Sequence, residues 1–125
     1  MNDWARSQYD LGIAIASLFE ISHENINPVL VASALTALQS ALEVYNSDQY
    51  PREWTLANIS IAYTYYISAW FIEDKNEQVA LLREALRILE SVLTSHISNT
   101  TQEEGTLPIR LNQQIKEYLA KIENA

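Results

Sequence analysis

Apolar residues recur at three- and four-residue steps in five segments of this chain, the spacing of an amphipathic helix rather than the alternation of a strand. The first segment runs from about Asp3, in N-cap position, to Ile21 and carries Trp4, Leu11, Ile15, Leu18 and Phe19. A loop over His23 to Asn27 follows. The second segment opens with Asn27 as an N-cap and Pro28 at the first helical position, where its missing N–H costs nothing, and extends to about Tyr45 with Glu43 as its one charge. Asn46 to Tyr50 is polar turn chemistry. Pro51 then sets the start of a third helix, with Glu53 near the positive end of its dipole and an end near Ile72. Beyond the charged Glu73-Asp74-Lys75-Asn76 connection, a fourth helix carries Val79, Leu82, Leu86, Leu89 and Leu93 and fades around His96. Ser98 to Thr106 has no apolar residue and is expected to be a mobile loop. Pro108 is expected to restart the chain in a fifth helix, whose Leu111, Ile115, Tyr118, Leu119 and Ile122 form one stripe opposite Arg110, Gln114, Glu117 and Lys121. The pattern predicts an all-α fold of five helices.

The segments echo one another. DWARSQYDLGIAIASLFEI from Asp3 returns as EWTLANISIAYTYYISAWFI from Glu53, with Trp4 matched by Trp54, and LQSALEVY from Leu38 returns as LREALRIL from Leu82. The two alignments differ in offset by six residues (54 − 4 against 82 − 38), an indel in a connecting loop. Self-similarity of this length marks a helix pair that cannot bury its apolar face alone and stacks on its neighbour.

Within those units, Leu11-Gly12 followed by Ile15, and Ile61-Ala62 followed by Tyr65, stand where a tetratricopeptide (TPR) repeat has its Leu-Gly-x-x-Tyr. Ala34, Leu38 and Ala41 fit that repeat's second-helix signature, and the second unit keeps Leu82 and Ala85 but has Gln78 in place of the leading Ala. The chain therefore resembles a degenerate TPR protein over about Asp3 to Leu93. The phrase ALEVYNSDQYPREWTLANISIAY, Ala41 to Tyr63, is similar to the long-loop subfamily common in bacterial, especially cyanobacterial, signalling proteins. The resemblance implies an α-solenoid of two helix-turn-helix repeats, over 3–46 and 51–97, with a C-terminal capping helix over 107–123. It assigns Ile61, Ala62 and Tyr65 to packing against the fourth helix, and it implies a concave face that captures a peptide or helix of a partner protein. The clamp of cations by which some TPR domains grip an acidic tail is not supported, since Arg6 is the only cation inside the first helices.

Length and composition fit that expectation. The chain has 125 residues, enough for one core, and its two glycines and three prolines leave little punctuation for short strands. Sixteen acids against eight bases give a net charge of −8, which repels a phosphate backbone, so nucleic acid is not expected as a partner. With no cysteine, thiol catalysis and zinc-thiolate sites are excluded. The N-terminus lacks signal-peptide architecture, which points to a cytoplasmic protein. Tyr50 to Phe71 draws attention because no charge lies between Glu53 and Glu73, but Asn58, Ser60, Thr64 and Ser68 join four tyrosines there, so it suits an enclosed helix better than a membrane span. His23 and His96 stand far apart with no metal-ligand spacing, and no glycine-rich phosphate loop exists, so no cofactor, metal or catalytic residue is expected and the chain is not read as an enzyme.

What remains is an aromatic stripe. Ile59, Tyr63, Tyr66 and Trp70 step by four, three and four along the third helix and share one face. Arg6, Tyr9 and Ile13 take the matching positions on the first helix. Such a stripe is core or binding groove; as a groove it would present Tyr and Trp, side chains that anchor interfaces. Three functions stay open: a protein-interaction adaptor using that groove, a homo-oligomerisation module, and a small-ligand-binding helical bundle.

Overall fold

A computed structural model describes residues 3–95 and 102–124, with Asn25 and residues 102–107 described in their backbone alone. Within them the chain forms five α-helices and one 3-10 turn, with no strand: α1 (Asp3–Ile21), the 3-10 turn (His23–Asn25), α2 (Pro28–Ala41), α3 (Pro51–Ala69), α4 (Lys75–Leu93) and α5 (Gln102–Glu123). Local chemistry sets most of these bounds. The Asn27 side chain accepts a hydrogen bond from the Leu30 N–H at 3.0 Å, capping α2 just ahead of Pro28. Asp74 caps α4 in the same way through the Asn76 N–H at 3.2 Å. Between α2 and α3, the Asn46 side-chain oxygen accepts from the backbone N–H groups of Asp48 and Gln49, an Asx turn that brings the chain round to Pro51.

Two ends differ from the pattern. Helix α2 stops at Ala41, and the chain reaches Tyr45 through tighter hydrogen-bonded turns in which the Val44 and Tyr45 N–H groups both donate to the Ala41 carbonyl. At the other end of the molecule, α5 begins at Gln102 rather than at Pro108, so residues 102–106 of the expected loop are helical, while 98–101 lie outside the described residues. Pro108 stands in the seventh helical position, where it removes one backbone hydrogen bond and its ring crowds the carbonyl four residues back, a local cost that the helix carries. The polar run carries no apolar periodicity, which is why its helicity left no mark in the pattern.

The side-chain contacts fix the directions. Tyr9 meets Tyr45 and Gly12 meets Leu38, so α2 returns antiparallel along α1. A Cβ on Gly12 would fall 2.6 Å from the Leu38 Cδ2 and 3.3 Å from its backbone nitrogen, so only glycine allows this approach. Next to this pair, Glu53 acts on Tyr9 and Glu20 on Tyr63, and the His23 ring lies against Trp70, so α3 runs in the same direction as α1. Gln78 at the start of α4 reaches Ala69 at the end of α3, and α4 packs back along α3. Tyr118 of α5 meets Tyr66, and α5 packs on both α4 and α3. The result is two layers: α1, α3 and α5 in one, α2 and α4 in the other, with α3 in contact with all four other helices.

The main core joins Leu38, Ala41, Ala57, Ile61, Ala62, Leu82, Ala85, Leu89 and Ile115, and a second cluster of Phe19, Ile26, Ala34 and Ile67 sits under the α1–α2 turn. Being enclosed, α3 buries residues around its whole circumference, including Thr64 at 0 % exposure. Three of its polar side chains bond within the helix: Thr64 Oγ1 donates to the Ser60 carbonyl at 2.7 Å, Ser68 Oγ to the Thr64 carbonyl at 2.6 Å and Asn58 Nδ2 to the Trp54 carbonyl at 2.9 Å. Gln78 has a structural reason. Its Nε2 donates to the Ala69 carbonyl at 2.8 Å and to the Tyr118 hydroxyl at 3.2 Å, tying the end of α3 and the start of α4 to α5.

Ala41 and Ala85 are both fully buried in the main core. Ala41→Leu and Ala85→Leu are each expected to lower stability by about 1–3 kcal/mol through overpacking; equal denaturation midpoints for parent and variants would contradict this packing. Gln78→Ala leaves the Ala69 carbonyl without its side-chain donor and is expected to cost about 1 kcal/mol, while Tyr118→Phe, which removes only the longer of the two bonds, costs less in the same denaturation experiment.

Candidate functional site

Because α1, α3 and α5 lie side by side and run in one direction, α3 forms the floor of a groove walled by the other two. The groove encloses about 340 Å³. Leu56, Ile59, Ser60 and Tyr63 come from the floor, Ile13 and Glu20 from the α1 wall, and Arg110, Leu111 and Gln114 from the α5 wall. The lining is apolar at its base, with an acid on one wall and a base on the other. Tyr63 is half-buried there, and burial together with nearby Glu20 raises its phenol above the ordinary value near 10.

Of the seven residues singled out from the sequence, Ile13, Ile59 and Tyr63 line this groove. Tyr66 and Trp70 continue along the same helix but are engaged at its far end. Their rings meet edge to face with centroids 5.4 Å apart, while Tyr66 also meets Tyr118 at 5.9 Å and Trp70 meets His23 at 5.1 Å. Both are half-buried, so they fasten α3 to α5 and to the α1–α2 turn. Tyr9 lies in the core, 7 % exposed, edge-on to Tyr45 at 5.7 Å, and Tyr45 in turn meets Tyr50 at 5.0 Å. Arg6 is exposed, with its guanidinium 5.5 Å above the Tyr9 ring and 3.2 Å from Asp10.

The residues that sequence reasoning passed over are Glu20, Leu56, Ser60, Arg110, Leu111 and Gln114. Glu20 follows Ile13 by seven residues, and Leu56 and Ser60 precede Tyr63 by seven and three, so their helical phase was legible. The α5 residues were not, because nothing local says which edge of the fifth helix faces the third.

A second concavity of about 440 Å³ opens between the start of α2 and the end of α3, floored by Ile26, Val31, Leu35 and Ile72 with Phe71 at its rim. Its polar residues are Asn27 and Ser68, and both are engaged, the first capping α2 and the second bonded to the Thr64 carbonyl. It therefore offers apolar surface without a free polar group to orient a ligand. Among the described residues no group of three or more His, Cys, Asp or Glu side chains could hold a metal ion, and no helix is long and apolar enough to cross a membrane. No family model, curated protein or solved structure matches the chain.

Burial and the nearby Glu53 push the Tyr9 phenol up to about 12, and burial raises Tyr63 and Tyr66 as well. A phenol raised above its unfolded value keeps its proton in the native state while the unfolded chain loses it. Stability is thus unaffected below about pH 10 and falls as pH rises from there toward 12. Tyr9→Phe is expected to flatten that alkaline decline in melting temperature; an unchanged slope would remove Tyr9 as its source.

Proposed function

We propose that this protein is a non-catalytic interaction module with a TPR-like architecture, two stacked helix pairs closed by α5, which captures a helix or peptide of a partner protein in the groove over α3. The observation that carries the proposal is the groove itself, formed by three helices of one layer, with an apolar floor and polar walls. Its supports are the Leu-Gly-x-x-Tyr-like phrases, whose small residues Gly12 and Ala62 are buried where paired helices approach, and the two-layer order in which alternate helices line one face.

The lining describes the ligand. A segment with two or three apolar side chains on one face would fill the space over Leu56, Ile59, Tyr63 and Leu111, with a basic residue toward Glu20 and an acidic one toward Arg110. The net charge of −8 favours partners of overall basic or neutral character, since complementary fields raise encounter rates. No residue set on either wall resembles a nucleophile with its base, so the reading is of binding rather than turnover.

The test is selection of displayed helical peptides on the intact protein, followed by titration of variants. Tyr63→Ala is expected to weaken the selected peptides by more than about 1 kcal/mol while the helical fold is kept, and Glu20→Lys to shift selection toward acidic flanks. Tyr66→Ala, by contrast, is expected to lower melting through lost contact with Tyr118. Peptides whose affinity ignores both Tyr63 and Glu20 would place binding elsewhere and end this proposal.

A further inference from the structure

We infer that α1 carries a second interaction surface, on the side away from the groove, through which two copies of this chain pair as antiparallel helices about a two-fold axis. Trp4, Ser7, Leu11, Ala14, Leu18 and Ile21 follow one another at steps of three and four, the a/d spacing of a coiled-coil seam, and all six are exposed. Trp4 and Leu11 are each 49 % exposed and Ile21 is 83 % exposed. No charged residue belongs to the stripe. An uncharged seam running nearly the length of α1 on an acidic protein is a packing surface left open to solvent.

The internal repeat says what such a surface does. Fifty residues on, the same stripe reads Trp54, Ala57, Ile61, Thr64, Ser68 and Phe71; along α3 Ala57 and Thr64 are 0 % exposed and Ile61 is 3 % exposed, while Phe71, just past the end of the helix, is 62 % exposed. The buried middle of this stripe belongs to a helix in contact with α2 of the preceding pair, and Ser68 and Phe71 at its end line the cleft that α2 forms with α3. The stripe on α1 has the same spacing and wants the same kind of cover, a helix.

A second copy could supply that helix in two ways. Head-to-tail stacking would need α4 of one copy to receive α1 of the next as α2 receives α3, but α5 already packs on α4. Open-ended growth is therefore blocked, and a closed two-fold pairing of α1 with α1 remains. The stripe is self-complementary in the antiparallel sense. Leu11 falls opposite Ala14 of the second copy and Ser7 opposite Leu18, so each inner layer joins a large residue to a small one, while Trp4 meets Ile21 at both ends. A parallel pair would set leucine on leucine and alanine on alanine, alternately overfilling and emptying the seam. Ile13 and Glu20 project about 160–180° from Leu11 around the helix, so pairing leaves both grooves open and the dimer bivalent.

Light scattering and sedimentation on the intact chain over a roughly hundred-fold concentration range test this. The mass is expected to rise from 14.2 kDa toward twice that value, and to rise further in added salt, which screens the repulsion between two copies of charge −8. Leu11→Glu and Ala14→Glu alter exposed positions, so both are expected to keep the parent circular dichroism and peptide binding while weakening association at least about ten-fold. Because the chain lacks cysteine, Ser7→Cys mixed with Leu18→Cys under oxidation reports the register, and the mixed disulfide is expected to exceed either homodisulfide. A monomer at every concentration, a dimer untouched by Leu11→Glu, or a predominant disulfide between two copies of the Ser7→Cys variant would each overturn the inference.

Discussion

The enclosure of α3 is the constraint on which the rest of the molecule depends. One helix touches all four others, so only its groove side is left to water, yet its sequence includes Asn58, Ser60, Thr64 and Ser68. An unpaired hydroxyl in such surroundings costs about 1–3 kcal/mol. Helical geometry resolves the conflict, because a Ser or Thr side chain bonds the carbonyl four residues back without any partner from outside. Two such bonds, from Thr64 and Ser68, and a third from the Asn58 amide to the Trp54 carbonyl, let α3 carry these polar side chains among its neighbours. The groove exists because this helix holds α1 and α5 apart on its one partly open face.

Tyr45 marks the opposite case. Its hydroxyl is buried with no hydrogen-bond partner among the described residues, although its ring is gripped by Tyr9 and Tyr50. Two edge-to-face aromatic contacts and nearly complete burial offset an unmade hydrogen bond. This small cluster anchors the turn that leads from the first helix pair into the second.

Helices were legible in the sequence wherever apolar periodicity, a capping side chain and a proline agreed. Asn27-Pro28 and Tyr50-Pro51 mark starts that the structure keeps, and α1 occupies the span read for it. The start of α5 was not legible, because Gln102 to Thr106 carries no apolar residue and Pro108 looked like the boundary. The aromatic stripe illustrates a different limit. Ile59, Tyr63, Tyr66 and Trp70 do share a face, but a helix face can pass from groove to packing contact along its own length, and spacing cannot say where. That transition is set by Tyr118 and His23, which approach from distant parts of the chain. Gln78, a departure from the repeat pattern when read as sequence, is the clearest gain from the structure, since its length lets it reach both Ala69 and Tyr118.

That amide has a dynamic consequence. A carbonyl at the C-terminal end of α3, the first turn of α4 and the far part of α5 meet at one side chain. Were α5 to lift away, Gln78 would lose a partner on one side and its hold on the turn between α3 and α4 would loosen on the other. The last helix and that turn are thus coupled through one side chain. The same α5 forms one wall of the groove, with Gln114 one turn from Tyr118, so a ligand seated there would resist that lifting.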